Sequence, residues 1–191
     1  MYMNLLFDEQ KKAALSKDKS NIGSIDKPIL KTINLINSFK NYYTTSSCSG
    51  RIILIKIPKN GKKNEAEFLF RTHSKTNIKE LKQYLKPLKE EIWLRQEPLI
   101  IHICSKSLDD ALKLLNIARL CSFKKSGIMS YSKKIMLEIN GTENISTIIS
   151  RDNKILVNDD YLNILIKEAN QNLERIMVKI DGFNKLLNKL K

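Results

Sequence analysis

From Asp160 onward, Leu162, Leu165, Ile166, Ala169, Leu173, Ile176, Met177 and Ile180 recur at helical spacing and mark one apolar face on a single long helix. Acidic residues at its start and lysines at its end match the helix macrodipole. A helix with one apolar stripe gains most of its stability from packing, so the rest of the chain must supply a surface for it. With 191 residues, 42% of them hydrophobic and 28% charged, the chain has the size and composition for that. A single domain spanning residues 1–191 is expected, with no internal repeat and no Pro-, Gly- or Ser-rich linker to divide it.

The other segments alternate between helical and strand-like patterns. Residues 4–16 read as a short helix, and a polar stretch from Ser16 to Ser24 leads to an amphipathic helix carrying Ile29, Ile33, Ile36 and Phe39. Arg51 to Ile57 is a β-branched run stopped by Pro58 and a Lys-Asn-Gly-Lys-Lys turn, with Glu65 to Thr72 as its antiparallel partner. Thr76 to Leu85 reads as a helix and Leu99 to Cys104 as a buried strand. Ser107 and Asp110 open a helix in capping-box fashion, and that helix ends near Cys121. Ile128 to Tyr131 with Lys134 to Ile139 makes one hairpin, and Ile145 to Ile149 with Lys154 to Val157 another, turning at Asp152 and Asn153. The pattern predicts an α/β domain with a mixed sheet flanked by helices, not a doubly wound parallel one.

Charge narrows the partners. Lys and Arg total 34 against 20 Asp and Glu, a formal net charge of +14, which favours a polyanion such as RNA or DNA. All but six of those cations are lysines, suited to diffuse phosphate attraction more than to bidentate base reading. No apolar run is long enough to cross a bilayer, and the first residues lack the pattern of a signal peptide. Three cysteines without a CxxC spacing predict neither a disulfide framework nor structural zinc, and fit a reducing, cytoplasmic setting. The six glycines form no GxGxxG or Walker A pattern, which excludes the standard nucleotide cradles.

The segment Thr44-Thr45-Ser46-Ser47-Cys48-Ser49-Gly50-Arg51 places six small hydroxyl or thiol residues before a glycine and an arginine. In a turn, such hydroxyls and backbone N–H groups can surround a carboxylate or ribose, with Gly50 permitting close approach and Arg51 clamping an anion. The alternative is a polar connection whose hydroxyls satisfy their own backbone. The two histidines, His73 and His102, fall at the end of one strand and inside another. His102 points away from the face of Ile101 and Ile103, toward a cleft or into a satisfied core position. Asp26 suits the N-cap of the helix containing Pro28, a role that does not exclude catalysis. Cys48 lacks a Cys-His pattern and reads as a small packing thiol. Trp93 and the Tyr42-Tyr43 pair either stack on bases or join the core, and the Lys59–Lys63 turn is a solvated loop that also meets phosphate.

The stretch Tyr43 to Ile52 resembles the signature of the wybutosine-synthesising tRNA methyltransferase family. Gly23-Ser24-Ile25-Asp26, Phe68 to His73, Glu97 to Ile103, Ser122 to Ile128 and Asp160 to Asn170 are similar to further segments of that family, in the same order along nearly the whole chain. Ser122 stands where family members often carry glycine, and Ile25 replaces a valine. The resemblance implies an α/β fold distinct from Rossmann methyltransferases. It also implies methyl transfer from S-adenosylmethionine to the N4 nitrogen of the tricyclic wybutosine precursor beside the anticodon of phenylalanine tRNA. By carry-over, Thr44, Ser46, Ser47, Cys48, Gly50, Arg51 and His73 would contact the cofactor, and Asp26, His102, Ser46 and Arg51 would serve catalysis, with His102 preferred over His73. A monomer without a metal is expected. Two other readings compete: a non-catalytic basic RNA-binding module, carried by the +14 charge, and a hydrolase, which lacks any nucleophile-elbow motif.

Overall fold

A computed structural model describes residues 2–16, 25–58, 60, 62 and 65–190. In chain order it contains α1 (Tyr2–Ser16), a 3-10 turn (Lys27–Ile29), α2 (Leu30–Ser38), β1 (Tyr42–Cys48), β2 (Arg51–Ile57), β3 (Glu67–Thr72), α3 (Ile78–Lys82) and β4 (Glu91–Glu97). There follow β5 (Ile100–Ser105), α4 (Leu108–Leu120), β6 (Gly127–Ser130), β7 (Ile135–Asn140), β8 (Ile145–Arg151), β9 (Lys154–Ile155) and α5 (Asp159–Asn188). The chain forms two compact units, one of Met1–Ser49, Leu99–Thr142 and Ile176–Lys191, the other of Gly50–Pro98 and Glu143–Arg175. Each unit holds one sheet.

The first unit carries a four-stranded sheet in the order β1-β5-β7-β6, with every pairing antiparallel. One face has an apolar centre: Ile101, Ile103, Leu137 and Ile139 are fully buried, as are Ala111, Leu114 and Ala118 of α4. Ser107 starts α4 as expected, accepting from the Asp110 amide at 3.1 Å and donating to its carboxylate at 2.6 Å. The other end closes with a bond from the Phe123 amide to the Ala118 carbonyl at 3.0 Å, while Ser122 adopts φ 65°, a left-handed helix stop. Phe123 then meets Phe183 of α5 edge to face, ring centroids 6.1 Å apart.

The second unit carries a five-stranded antiparallel sheet in the order β3-β2-β4-β8-β9. Ile52, Ile53 and Leu54 of β2 are successive and all fully buried, so both faces of this strand are covered. The β8–β9 hairpin turns at Asp152 and Asn153, with φ 49° and 60°, the mirror-image turn that matches strand twist. Asn170 of α5 grips the backbone of Thr76, accepting from its amide at 3.0 Å and donating to its carbonyl at 2.8 Å.

Several expectations are corrected here. The predicted mixed sheet is two antiparallel sheets; a continuous apolar run such as β2 signals a strand covered on both faces, which parallel and antiparallel neighbours can equally provide. The hydroxyl-rich segment is mostly strand β1, not a turn, because it pairs along β5 at the sheet edge. Strand β4 was not foreseen, although Ile92, Leu94 and Gln96 alternate inward along it. Tyr42 and Tyr43 are buried core residues and not stacking platforms. Asp26 occupies the N-cap position of the 3-10 turn, yet its side chain makes no capping bond. Gly23, Ser24, most of the Ser16–Ser24 stretch, and Lys59, Gly61 and Lys63 lie outside the described residues.

Candidate active site

Strand β1 pairs with β5 in a register that shifts between Thr44 and Ser46. Tyr43 faces Cys104 and Thr44 faces Ile103; the next residue, Thr45, is the extra one of a bulge, and Ser46 faces His102. Period-2 alternation would put Tyr43 and Ser46 on opposite faces, and the bulge returns both to one. Three cross-strand rows line that face: Tyr43, Cys104 and Met136; Ser46, His102 and Glu138; Cys48, Ile100 and Asn140.

The first row is sealed by Phe7 of α1, 5.2 Å from the Tyr43 ring centroid, in a cluster with Cys104 and Met136. The middle row is polar and continuous. Ser46 Oγ lies 2.7 Å from His102 Nδ1, His102 Nε2 lies 2.8 Å from Glu138 Oε2, and Asn140 Nδ2 donates to Glu138 Oε1 at 2.9 Å. The Asn140 amide first, and then the His102 ring, hold the Glu138 carboxyl below its ordinary pKa. Ser46 is exposed and His102 half-buried, so solvent or a substrate can reach the row. In the covered row, burial pushes the Cys104 thiol up and keeps it protonated.

The remaining motif residues have separate partners. On the opposite face of β1, Thr44 is gripped by Asn37 of α2, which accepts from the Thr44 amide at 2.8 Å and donates to its hydroxyl at 3.0 Å. Asp26 Oδ2 accepts from the Ser49 amide at 2.8 Å and from its hydroxyl at 3.2 Å, so the early acid is tied to the end of the motif. In the second unit, Gly50 has φ 90°, the left-handed region glycine was expected to serve. Arg51 donates through Nε to Glu97 at 2.5 Å and lies over the Phe68 ring at 5.2 Å. His73 Nδ1 lies 2.9 Å from the Gly50 carbonyl oxygen.

The first unit thus joins Ser46 to His102 and Asp26 to Ser49, while Arg51, Gly50 and His73 gather in the second. Glu138 and Asn37 were not singled out from sequence. A glutamate in the apolar run Ile135–Asn140 is a signal in hindsight, but only the register tells which residue it faces.

A model of the family described as Methyltransferase TYW3 matches residues 7–189. This chain belongs to that family. A relative in Thermococcus sibiricus is 39% identical over 189 residues, covering 97% of this chain and 96% of its own. It bears the name tRNA(Phe) 7-((3-amino-3-carboxypropyl)-4-demethylwyosine(37)-N(4))-methyltransferase. A Pyrococcus horikoshii relative with the corresponding name is 35% identical, covering 96% of each chain. A solved Pyrococcus horikoshii structure is similar with a TM-score of 0.90 at 34% identity, covering 98% of this chain and 99% of that one. A solved protein from Aeropyrum pernix is similar with a TM-score of 0.76 at 27% identity, over 86% of this chain and 98% of its own. Membership in the TYW3 methyltransferase family makes the protein an enzyme that needs a methyl donor. Among the described residues, no helix is long and apolar enough to cross a membrane.

Proposed function

We propose that the protein is a tRNA N-methyltransferase that uses S-adenosylmethionine to methylate the N4 nitrogen of the 4-demethylwyosine-type base at position 37 of tRNA(Phe). The near full-length identity to relatives bearing that name carries the reading. In this reading the whole chain acts as one methyltransferase domain, which a family match spanning both units supports, and it works in the cytoplasm as a monomer without a metal.

Bound S-adenosylmethionine would supply an electrophilic methyl carbon. The donor chemistry of the motif fits such a group. On the first unit, the Ser46 hydroxyl suits a ribose or carboxylate and Cys48, on the same face, is a soft, half-buried contact, whereas Thr44, held by Asn37, and Ser47 lie on the other face of β1 and do not join them. On the second, Gly50 presents backbone without a Cβ, Arg51 is anchored by Glu97, and His73 sits against Gly50. The reaction needs the target nitrogen held in line and its proton removed, so the chain's work is positioning and proton acceptance. His102, with Ser46 against its ring, accepts the proton, and Asp26 holds the end of β1 through Ser49. The excess of positive charge attracts the tRNA body through its phosphates.

The test is mass spectrometry of the anticodon-loop nucleoside after incubation with demethyl tRNA and S-adenosylmethionine. A gain of one methyl group is expected, and folded Ser46→Ala and Arg51→Ala variants should lose cofactor binding or turnover. Salt-dependent tRNA affinity without methyl gain would instead identify a non-catalytic RNA-binding module. The Ser46–His102–Glu138 row has the order of a hydrolytic triad, but Ser46 lies on a strand and not on a strand-to-helix elbow, and the relatives' names favour methyl transfer.

A further inference from the structure

We propose that Glu138 is a positioning residue for this methyl transfer, holding His102 in the tautomer whose Nδ1 takes a proton through Ser46. The proposal rests on the N-methyltransferase reading above. Ser46, His102 and Glu138 are direct partners across three neighbouring strands, so backbone pairing fixes their alignment before any side chain is considered. An ionised carboxylate only accepts hydrogen bonds. Glu138 accepts from Asn140 Nδ2 at one oxygen, and His102 Nε2 stands 2.8 Å from the other. Nε2 therefore carries the hydrogen of the neutral ring. Nδ1 is left with its lone pair toward Ser46 Oγ at 2.7 Å, and the hydroxyl donates to it.

That orientation turns a lone pair of Ser46 outward, ready to accept from an N–H group. Methylation of such a nitrogen releases one proton: nitrogen keeps the N–H electron pair, gains the bond to carbon, and the carbon–sulfur pair leaves with sulfur. The proton passes to Ser46 Oγ as the serine's own proton moves to His102 Nδ1. The imidazolium that results faces the Glu138 carboxylate, which offsets its charge. With the opposite tautomer Nδ1 would already hold a hydrogen, and the relay would be closed. A carboxylate that orients a histidine and stabilises its charged form plays the same part in hydrolytic triads.

Glu138→Gln tests this with little change of shape. Its amide oxygen can serve Asn140, which turns the NH2 group toward His102 Nε2 and inverts the tautomer. The chain has only two histidines, so the imidazole nitrogens of isotopically labelled protein are assigned with one His102→Gln control. In mildly alkaline buffer the wild type should show the Nε2–H form and Glu138→Gln the Nδ1–H form. The variant's kcat should fall by about 100-fold with the KM for tRNA unchanged. Glu138→Asp, which keeps an acceptor, should retain the Nε2–H form and recover part of the rate, and it stands in should the glutamine variant not fold. An unchanged nitrogen spectrum in Glu138→Gln overturns the proposal, and so does an inverted tautomer with undiminished kcat. A wild-type protein without methyl transfer overturns the proposed function instead, and the nitrogen spectrum still decides the tautomer.

Discussion

Replacing Ser122 by glycine should stabilise the protein. Ser122 ends α4 at φ 65°, in the left-handed region, where its amide bonds to Arg119 O at 3.0 Å and the next amide reaches back to Ala118 O. A Cβ in that region costs roughly 1–2 kcal/mol through its approach to the following carbonyl. Glycine's greater freedom in the unfolded chain offsets about 0.5–1 kcal/mol of the gain. A net stabilisation of about 0.5–1 kcal/mol is left, which for a chain of this length raises Tm by about 1–4 °C. The side chain is exposed, so its removal should take no packing with it. The carbonyl that accepts from Lys179 at 3.3 Å belongs to the backbone and stays. Ser122→Val should move the other way, by about 1 kcal/mol, since a β-branched residue tolerates φ above zero least. Calorimetry gives Tm, and urea denaturation with an unchanged m-value shows that the native state, and not its compactness, has changed. A glycine variant with Tm unchanged or lowered, beside a neutral valine variant, would refute the account of the helix stop.

Asn170→Ala removes both bonds to the Thr76 backbone and should cost about 1–3 kcal/mol by urea denaturation; Asn170→Asp, lacking the donor, should restore only part of it. Cys104 is 1% exposed with its thiol pKa raised by burial, so peptide mass spectrometry after brief iodoacetamide treatment should find it unmodified until urea unfolds the chain. The Glu138 carboxyl titrates lower in the folded protein than in the unfolded chain. Its stabilising contribution is therefore complete above the ordinary glutamate range and lost as pH falls through the folded value, and the acid limb of the stability curve should be shallower in Glu138→Gln. Affinity for tRNA should fall linearly in log–log terms with salt, measured by filter binding; a flat response would remove the electrostatic account of the +14 charge.

What the sequence determined was whatever depends on neighbours along the chain. The apolar stripe of α5, the Ser107 cap, the β2–β3 and β6–β7 hairpins and the Asp152-Asn153 turn are each encoded within a few residues, and each formed where local chemistry placed it. The motif from Thr44 to Arg51 and the orientation of His102 away from Ile101 and Ile103 were legible in the same way. Tertiary structure decided which distant groups meet. A polar run of small residues became strand β1 because β5 offered it an edge, and one extra residue at Thr45 reversed the alternation so that Ser46, and not its neighbour, faces His102. Glu138 entered the site through the pairing of β5 with β7, and Asp26 left its expected cap for Ser49. Strand register is set by long-range pairing, and a shift of one residue exchanges the two faces of a sheet, so no local pattern could have specified it.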